Sequence, residues 1–290
     1  NPEVKKYLEA ENSFTKKNMK DTEVLQKKLF NEIKGRIKLT DESLPFKDEK
    51  YYYWTKVTKE GNYSKKLRKK IGTNKTEIFW DGDLEAKGKK FFNTGDLSVS
   101  NNDEFLAYSI DDKGSEYFTI LIRRISDNKI LDEEIKETSG SITWSYDDKF
   151  IFYSKLDKLH RPRQIFRHEL GTSVEQDQLV FEEEDDRFTC GISTSSDEKF
   201  YFIVTSEHTT SEVYFFNNAE KINLELFKKR KDGIEYTIDS WNGYFWIHTN
   251  DNAKDFKIAR CKHEDIKNIS DYIHPKDGVL VGGFTFLRDW

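Results

Sequence analysis

The spacing of apolar residues changes once along this 290-residue chain, near residue 35. Between residues 2 and 34 large apolar side chains return at spacing four, as Leu25, Leu29 and Ile33, among solvated lysines such as Lys16, Lys17 and Lys20. That is the period of a helix with one apolar stripe. Pro2 suits a first helical turn, and Asp21 with Thr22 marks an interruption, so either one helix or two joined near residue 20 is predicted. Beyond Gly35 the helical period disappears. From Tyr51 onward short aromatic and β-branched runs alternate with polar turns, which signals an all-β architecture.

These runs repeat. A polar turn leads into an aromatic strand at NNDEFLAYSID from Asn101, YDDKFIFYSKLD from Tyr146, SDEKFYFIVTS from Ser196 and WNGYFWIHTND from Trp241. Aligned on Phe105, Phe150, Phe200 and Phe245, the units are spaced by 45, 50 and 45 residues, the size of a propeller blade. Within one unit four strands are predicted, at residues 141 to 145, 150 to 156, 164 to 170 and 178 to 182. Inner runs such as FIFYS from Phe150 are apolar on both faces, whereas LVFEEEDD from Leu179 and LELFKKRKD from Leu224 turn polar outward. That gradient fits a blade whose inner strands are covered by neighbours and whose fourth strand meets water.

An earlier, more degenerate blade fits YYYWTKV from Tyr51, a Lys-rich strand near residue 65 and TEIFWD from Thr76. Tyr51, Tyr52, Tyr53 and Trp54 read as a strand-opening core cluster. Lys66, Leu67 and Arg68 alternate as an exposed edge strand does, with lysines blocking association. The tail from Gly283 to Trp290 reads as the inner strand of a further unit. The expected fold is therefore mainly β: an incomplete β-propeller, about five four-stranded blades of an expected seven, preceded by an N-terminal helical segment. Residues 1–46 are the helical lead-in and residues 47–290 the blades.

Composition narrows the function classes. Phe 22, Tyr 14 and Trp 6 supply the apolar surface of a folded chain despite a charged fraction of 35%. Basic and acidic residues nearly balance, 48 against 53, leaving no field for nucleic acid. The runs Lys65, Lys66, Arg68, Lys69, Lys70 and Lys228, Lys229, Arg230, Lys231 read as blade surface. Only Cys190 and Cys261 are present, too few for a disulfide framework, and no apolar stretch is long enough to cross a membrane. A soluble protein of a reducing, cytoplasmic compartment is expected, without nucleic-acid or membrane partners. Asn1 is no initiator product and no secretory signal follows it, so the chain reads as the interior of something longer. The six histidines lack the spacing of a zinc site, and no metal or cofactor is predicted.

One segment is specific enough to point to a family. LHRPRQIFRHELGTSVEQDQLVFEEEDDRF, from Leu159 to Phe188, combines a His-Arg-Pro turn, an Arg-His-x-Leu-Gly-Thr strand end and an acidic run before Arg-Phe. It resembles the propeller of oligopeptidase B, in the prolyl oligopeptidase family of serine peptidases. NPEVKKYLEAENSF, YYYWTKVTKEG, DGDLEAKGKKFF, TSGSITWSYDD, HTTSEV and GGFTFLRDW resemble further segments in the same order, over essentially the whole chain.

The resemblance implies that the propeller gates the access of short peptides to an α/β-hydrolase catalytic domain cleaving after Arg or Lys. That domain would follow these residues, with its serine in a nucleophile elbow, then Asp, then His. No G-x-S-x-G occurs here, so no catalytic residue is assigned to this chain and it is expected to be inactive alone. Glu182, Glu183, Asp185, Asp186 and Arg187 are the candidate channel or interdomain contacts, for basic peptides or for the catalytic domain. Their bland reading is a solvated blade edge. The alternative functions are a free-standing interaction scaffold and a split or decayed gene product.

Overall fold

The computed structural model describes residues 1–287, which group into two compact units, Asn1–Lys87 and Gly88–Trp290. In the first unit, a helix at Pro2–Met19 starts on Asn1, whose side chain accepts from the Glu3 N–H at 2.9 Å. A 3₁₀ turn at Lys20–Thr22 leads into a second helix, Glu23–Arg36, so the break falls where Asp21 and Thr22 predicted it. Neither helix buries a residue; Tyr7, Leu8, Phe14, Leu25, Phe30 and Ile33 all remain exposed.

Among the described residues the strands form five antiparallel units. The first joins Tyr51–Val57, Lys65–Lys70 and Thr76–Asp81, with short strands Asp41–Glu42 and Phe46–Asp48 on its open side. Here the edge-strand expectation is corrected: Lys65–Lys70 pairs on both sides and is internal. Its lysines serve packing and ion pairs, with Arg68 buried 4.4 Å from the Tyr51 ring and bonded to Glu77 at 2.7 Å, and Lys65 on Asp81.

The second unit holds four blades. Blade two is Asn93–Val99, Phe105–Asp111, Phe118–Arg124 and the first half of Ile130–Trp144; blade three is the second half of that strand, Phe150–Leu156, Pro162–Glu169 and Gln178–Glu182. Blade four is Thr189–Thr194, Tyr201–Ser206, Ser211–Phe216 and Glu225–Lys228, and blade five Tyr236–Trp241, Tyr244–Thr249, Lys257–Lys262 and Asp265–Ile273. The predicted inner strand at 141–145 is thus no separate element. One 15-residue strand pairs first with Phe118–Arg124 and then with Phe150–Leu156, fusing two blades into a seven-stranded sheet. At the tail, residues 281–287 join no ladder, and the predicted strand's last three residues lie outside the described residues.

The repeat seen in sequence is a hydrogen-bonded turn. Ser100, Ser145 and Ser195 each accept through Oγ from the N–H of the phenylalanine five residues on, at 2.9, 2.9 and 3.0 Å. Each also donates to the side chain two residues on, Asn102, Asp147 or Asp197. The fourth turn residue is left-handed, with φ of 66° at Asp103, 58° at Asp148 and 57° at Glu198. In blade five, Asn242 and Gly243 both take positive φ, the two-residue hairpin that Asn-Gly favours.

Inner strands are apolar on both faces because each face closes a different seam. From Phe150–Leu156, Ile151 and Tyr153 pack on Ala107, Ile120, Ile122 and Ile135 of blade two. Phe150 and Phe152 turn the other way, onto Tyr201, Ile203 and Phe216 of blade four. Phe202, Phe215 and Phe227 then meet Tyr236, Phe245 and Ile247 of blade five. Each such fully buried side chain contributes roughly 1.5–3 kcal/mol of hydrophobic stabilisation.

The bend inside the long strand depends on Gly140, at φ 91°. A Cβ there would meet Phe118 Cγ at 2.9 Å and Ser109 Oγ at 3.2 Å. Gly140→Ala should therefore lower stability by roughly 2–4 kcal/mol through backbone strain and overpacking. Gly191→Ala, where a Cβ meets nothing within 4 Å, should change it far less. The urea midpoints of the two variants check this.

Candidate functional site

The acidic run follows the last strand of blade three and enters the connector to blade four. Its members separate sharply. Glu182 ends its strand exposed, bonded to Gln164 at 3.0 Å. Glu183 turns inward and is 2% exposed. Both its carboxylate oxygens are held by Arg230, at 2.9 and 3.0 Å, and it also accepts from the Thr205 hydroxyl and the Asp185 N–H. Arg230 comes from the connector beyond blade four, lies 4.1 Å from the Phe188 ring and also faces Glu212. Burial pushes the Glu183 carboxyl up, but the bonds from Arg230, Thr205 and Asp185 outweigh it and hold the group below its ordinary value.

The next residues face solvent. Asp185 is chelated by the guanidinium of Arg187 at 2.8 Å and by its backbone N–H at 3.0 Å, which holds its pKa down at about 2. Arg187 itself is 67% exposed. Asp186, 75% exposed, pairs with Arg163, while Arg161 bonds its carbonyl. The candidate residues therefore divide into a buried clasp, Glu183 with Arg230, and an exposed acidic corner, Asp185 and Asp186 with Arg187. Arg230 was hidden from sequence reasoning inside a lysine run.

A serine, a histidine and a carboxylate do meet elsewhere in the chain. Ser240 Oγ lies 2.9 Å from Asp197 Oδ2 and 2.9 Å from His263 Nε2. The carboxylate accepts only, so Ser240 donates to Asp197 and takes its remaining bond from His263 Nε2–H. The serine is central and fully buried, and its proton points away from the histidine. A nucleophile needs the opposite order, with the histidine between carboxylate and serine. The trio joins blades four and five. A second buried network lies within blade three: His168 Nδ1 is 2.7 Å from Asp177 Oδ1, and Tyr153 donates to the other oxygen at 2.8 Å.

The remaining histidines are scattered. His160 packs at a tilt on Tyr117, with ring centroids 4.0 Å apart, His248 bonds the Val281 carbonyl at 2.6 Å, and His208 and His274 are exposed. Among the described residues no group of three or more His, Cys, Asp or Glu gathers as a metal would require. Cys190 and Cys261 are unpaired, and burial pushes their thiols up to about 12 and about 11. No helix among the described residues is long and apolar enough to cross a membrane.

Successive antiparallel units with a repeated turn fit the propeller blades that the sequence resemblance implied. The whole chain, residues 1–290, matches the family described as prolyl oligopeptidase, N-terminal beta-propeller domain. The chain belongs to that family. It is 28% identical to Protease 2 of Moraxella lacunata, over 98% of this chain and 44% of that protein. Dipeptidyl aminopeptidase BI of Pseudoxanthomonas mexicana is 29% identical, over 99% of this chain and 42% of its own length. The fold is similar to that of oligopeptidase B from Leishmania major, with a TM-score of 0.86 and 24% identity over 95% of this chain and 40% of that one. This prolyl oligopeptidase propeller thus spans less than half the length of the proteins it matches.

Glu183 supplies a pH test of the clasp. A carboxyl held below its unfolded value contributes stability that is fully present above about 4.5, its ordinary pKa, and is lost as pH falls through the folded value. Glu183→Gln should cost roughly 2–4 kcal/mol near pH 7, since it strips one partner from a buried pair. The gap between variant and parent should shrink as the pH drops below about 4.5. Denaturant melts of both proteins between pH 3 and 7 measure it; a gap that does not change with pH contradicts the assignment.

Proposed function

We propose that this chain is the substrate-gating part of an oligopeptidase B-type serine peptidase. It covers an α/β-hydrolase catalytic domain that cleaves after Arg or Lys, and it admits short, unfolded peptides. The observation that carries the reading is the match of residues 1–290 to the family's N-terminal propeller, in a chain covering only 44% and 42% of its two relatives. In this reading residues 1–46 are the helical lead-in and residues 47–290 the blades. The exposed apolar side chains of the two helices, Tyr7, Leu8, Phe14 and Leu25 among them, suit a segment that works against another domain. The half-buried Asp185 carboxylate and the exposed one of Asp186 suit a rim that attracts basic peptides. Two unpaired, buried cysteines suit a reducing, cytoplasmic compartment.

Fluorogenic peptides ending in Arg or Lys test the division of labour. The 290-residue chain alone should turn over none of them, and a longer form that carries the hydrolase domain should cleave them. Turnover by the chain alone contradicts the proposal. In the longer form, the double substitution Asp185→Lys, Asp186→Lys should raise KM for Arg-ended peptides several-fold at low salt and much less at high salt. An unchanged KM at low salt removes the steering role.

A further inference from the structure

Four acidic residues are buried among the described residues, Asp111, Glu133, Glu183 and Glu212, and three of them are fully engaged. Glu183 is held by Arg230, and Glu212 accepts from the Tyr214 hydroxyl and the Arg230 N–H. Asp111 ties its own loop, accepting from the N–H groups of Lys113, Gly114 and Glu116. Glu133, 8% exposed, is different. Its Oε1 accepts from the Gly171 N–H at 2.5 Å, and its Oε2 has no partner among the described residues. A carboxylate drawn out of water needs a cation or several donors, and a single N–H leaves most of its charge uncompensated.

The place of Glu133 in its strand sharpens the anomaly. Side chains alternate along the outer half-strand of blade two, and Leu131, Glu133 and Ile135 share one face, on which Leu131 and Ile135 join the core between blades two and three. An apolar residue would pack better between them. Departures of this kind from the local pattern collect at functional positions.

Glu133 lines a cleft of about 820 Å³ between that strand and the turn at residues 171–175 of blade three. Leu131, Val174 and Tyr153 give the cleft an apolar wall. Of its three lysines, Lys136 pairs with Glu134 at 3.0 Å and Lys155 with Glu137 at 4.0 Å, which leaves Lys129 against Asp132, Glu133 and Glu175. The acidic surplus calls for a cation, and the apolar wall for one carried on an aliphatic stem. No group of three or more metal-ligating side chains gathers among the described residues, so an organic cation fits better than a metal ion. The strand also has an open edge. It pairs with Phe118–Arg124 on one side, and its pairing with Phe150–Leu156 on the other begins only at Thr138. An extended peptide can bond to such an edge through its backbone while a side chain enters the cleft.

We propose that this cleft is a docking site for a peptide, with the ammonium or guanidinium group of one Lys or Arg side chain seated on Glu133. The site shares no residue with the acidic corner at Asp185 and Asp186 and does not depend on the gating role.

The experiment is titration of the whole isotope-labelled chain with acetyl-Ala-Lys-Ala-amide, followed by amide chemical shifts. Gly171, whose N–H sits on Glu133, is the reporter and should shift saturably. The same peptide with norleucine in place of lysine keeps the stem and loses the charge, and should bind roughly tenfold more weakly or worse. Glu133→Gln keeps an oxygen for the Gly171 N–H and should abolish the difference between the two peptides, while Glu104→Gln, an exposed acid outside the cleft, should leave it intact. Equal binding of the two peptides by the unaltered chain overturns the proposal even if Glu133→Gln does not fold. A shift map centred on Asp185 and Asp186 also overturns it, and lysine amide binding as tightly as the peptide overturns the peptide assignment.

Discussion

The structure rests on sheets packing face to face through aromatic and branched side chains, so that one blade's surface is the next blade's core. A strand such as Phe150–Leu156 has no solvent side: alternate residues serve opposite seams. Its composition follows from that constraint, since a half-exposed strand would alternate polar with apolar and this one cannot. The constraint also explains where the polar residues collect. They lie in the turns and connectors, where the ladder ends and backbone groups need partners, and they are used there as joinery. Asp148 accepts from Asn101 and Asn102 across a seam, Tyr201 from the Tyr146 N–H, and Asp239 from Ser196.

That division set what was legible in the sequence. The blade period was readable because blades two, three and four share the same serine-led turn before the aromatic strand, which fixes spacings such as Ser145 to Phe150, and blade five has a tight Asn-Gly turn in the same place. The helices were readable from Pro2, the break at Asp21 and Thr22, and the apolar period. The edge assignment of Lys65–Lys70 failed because Lys and Arg stems cover apolar rings while their charged ends find Asp81 and Glu77, so a basic pattern also suits an internal strand. The fusion of two blades by Ile130–Trp144 escaped because Gly140 looks like a loop residue in sequence, and only its φ and its contact with Phe118 show it bending a continuous strand.

The candidate site was legible by composition and not by geometry. Five acidic residues in a row announce a charged surface, but which of them points inward depends on a cation 47 residues away. Once Arg230 is placed, Glu183 becomes part of the framework, and Asp185 and Asp186 are left to face what approaches the rim. The Ser240 trio teaches the same lesson in reverse. The residue types of a hydrolase are present, yet the order of their hydrogen bonds makes a clasp. In a domain of this family the polar chemistry holds blades in place, and peptide cleavage belongs to another part of the polypeptide in the reading proposed above.

The central claim is that seam faces, and not the blades taken singly, carry the stability. Neighbouring residues on one strand of blade five test it most directly. Phe245 is fully buried against Phe200, Phe215 and Phe227 in the seam with blade four, while Tyr244 points to the opposite face, where Arg260 lies 4.5 Å from its ring. In equilibrium unfolding, Phe245→Ala should cost roughly 3–5 kcal/mol and Tyr244→Ala about 1 kcal/mol. Equal costs for the two would contradict the account.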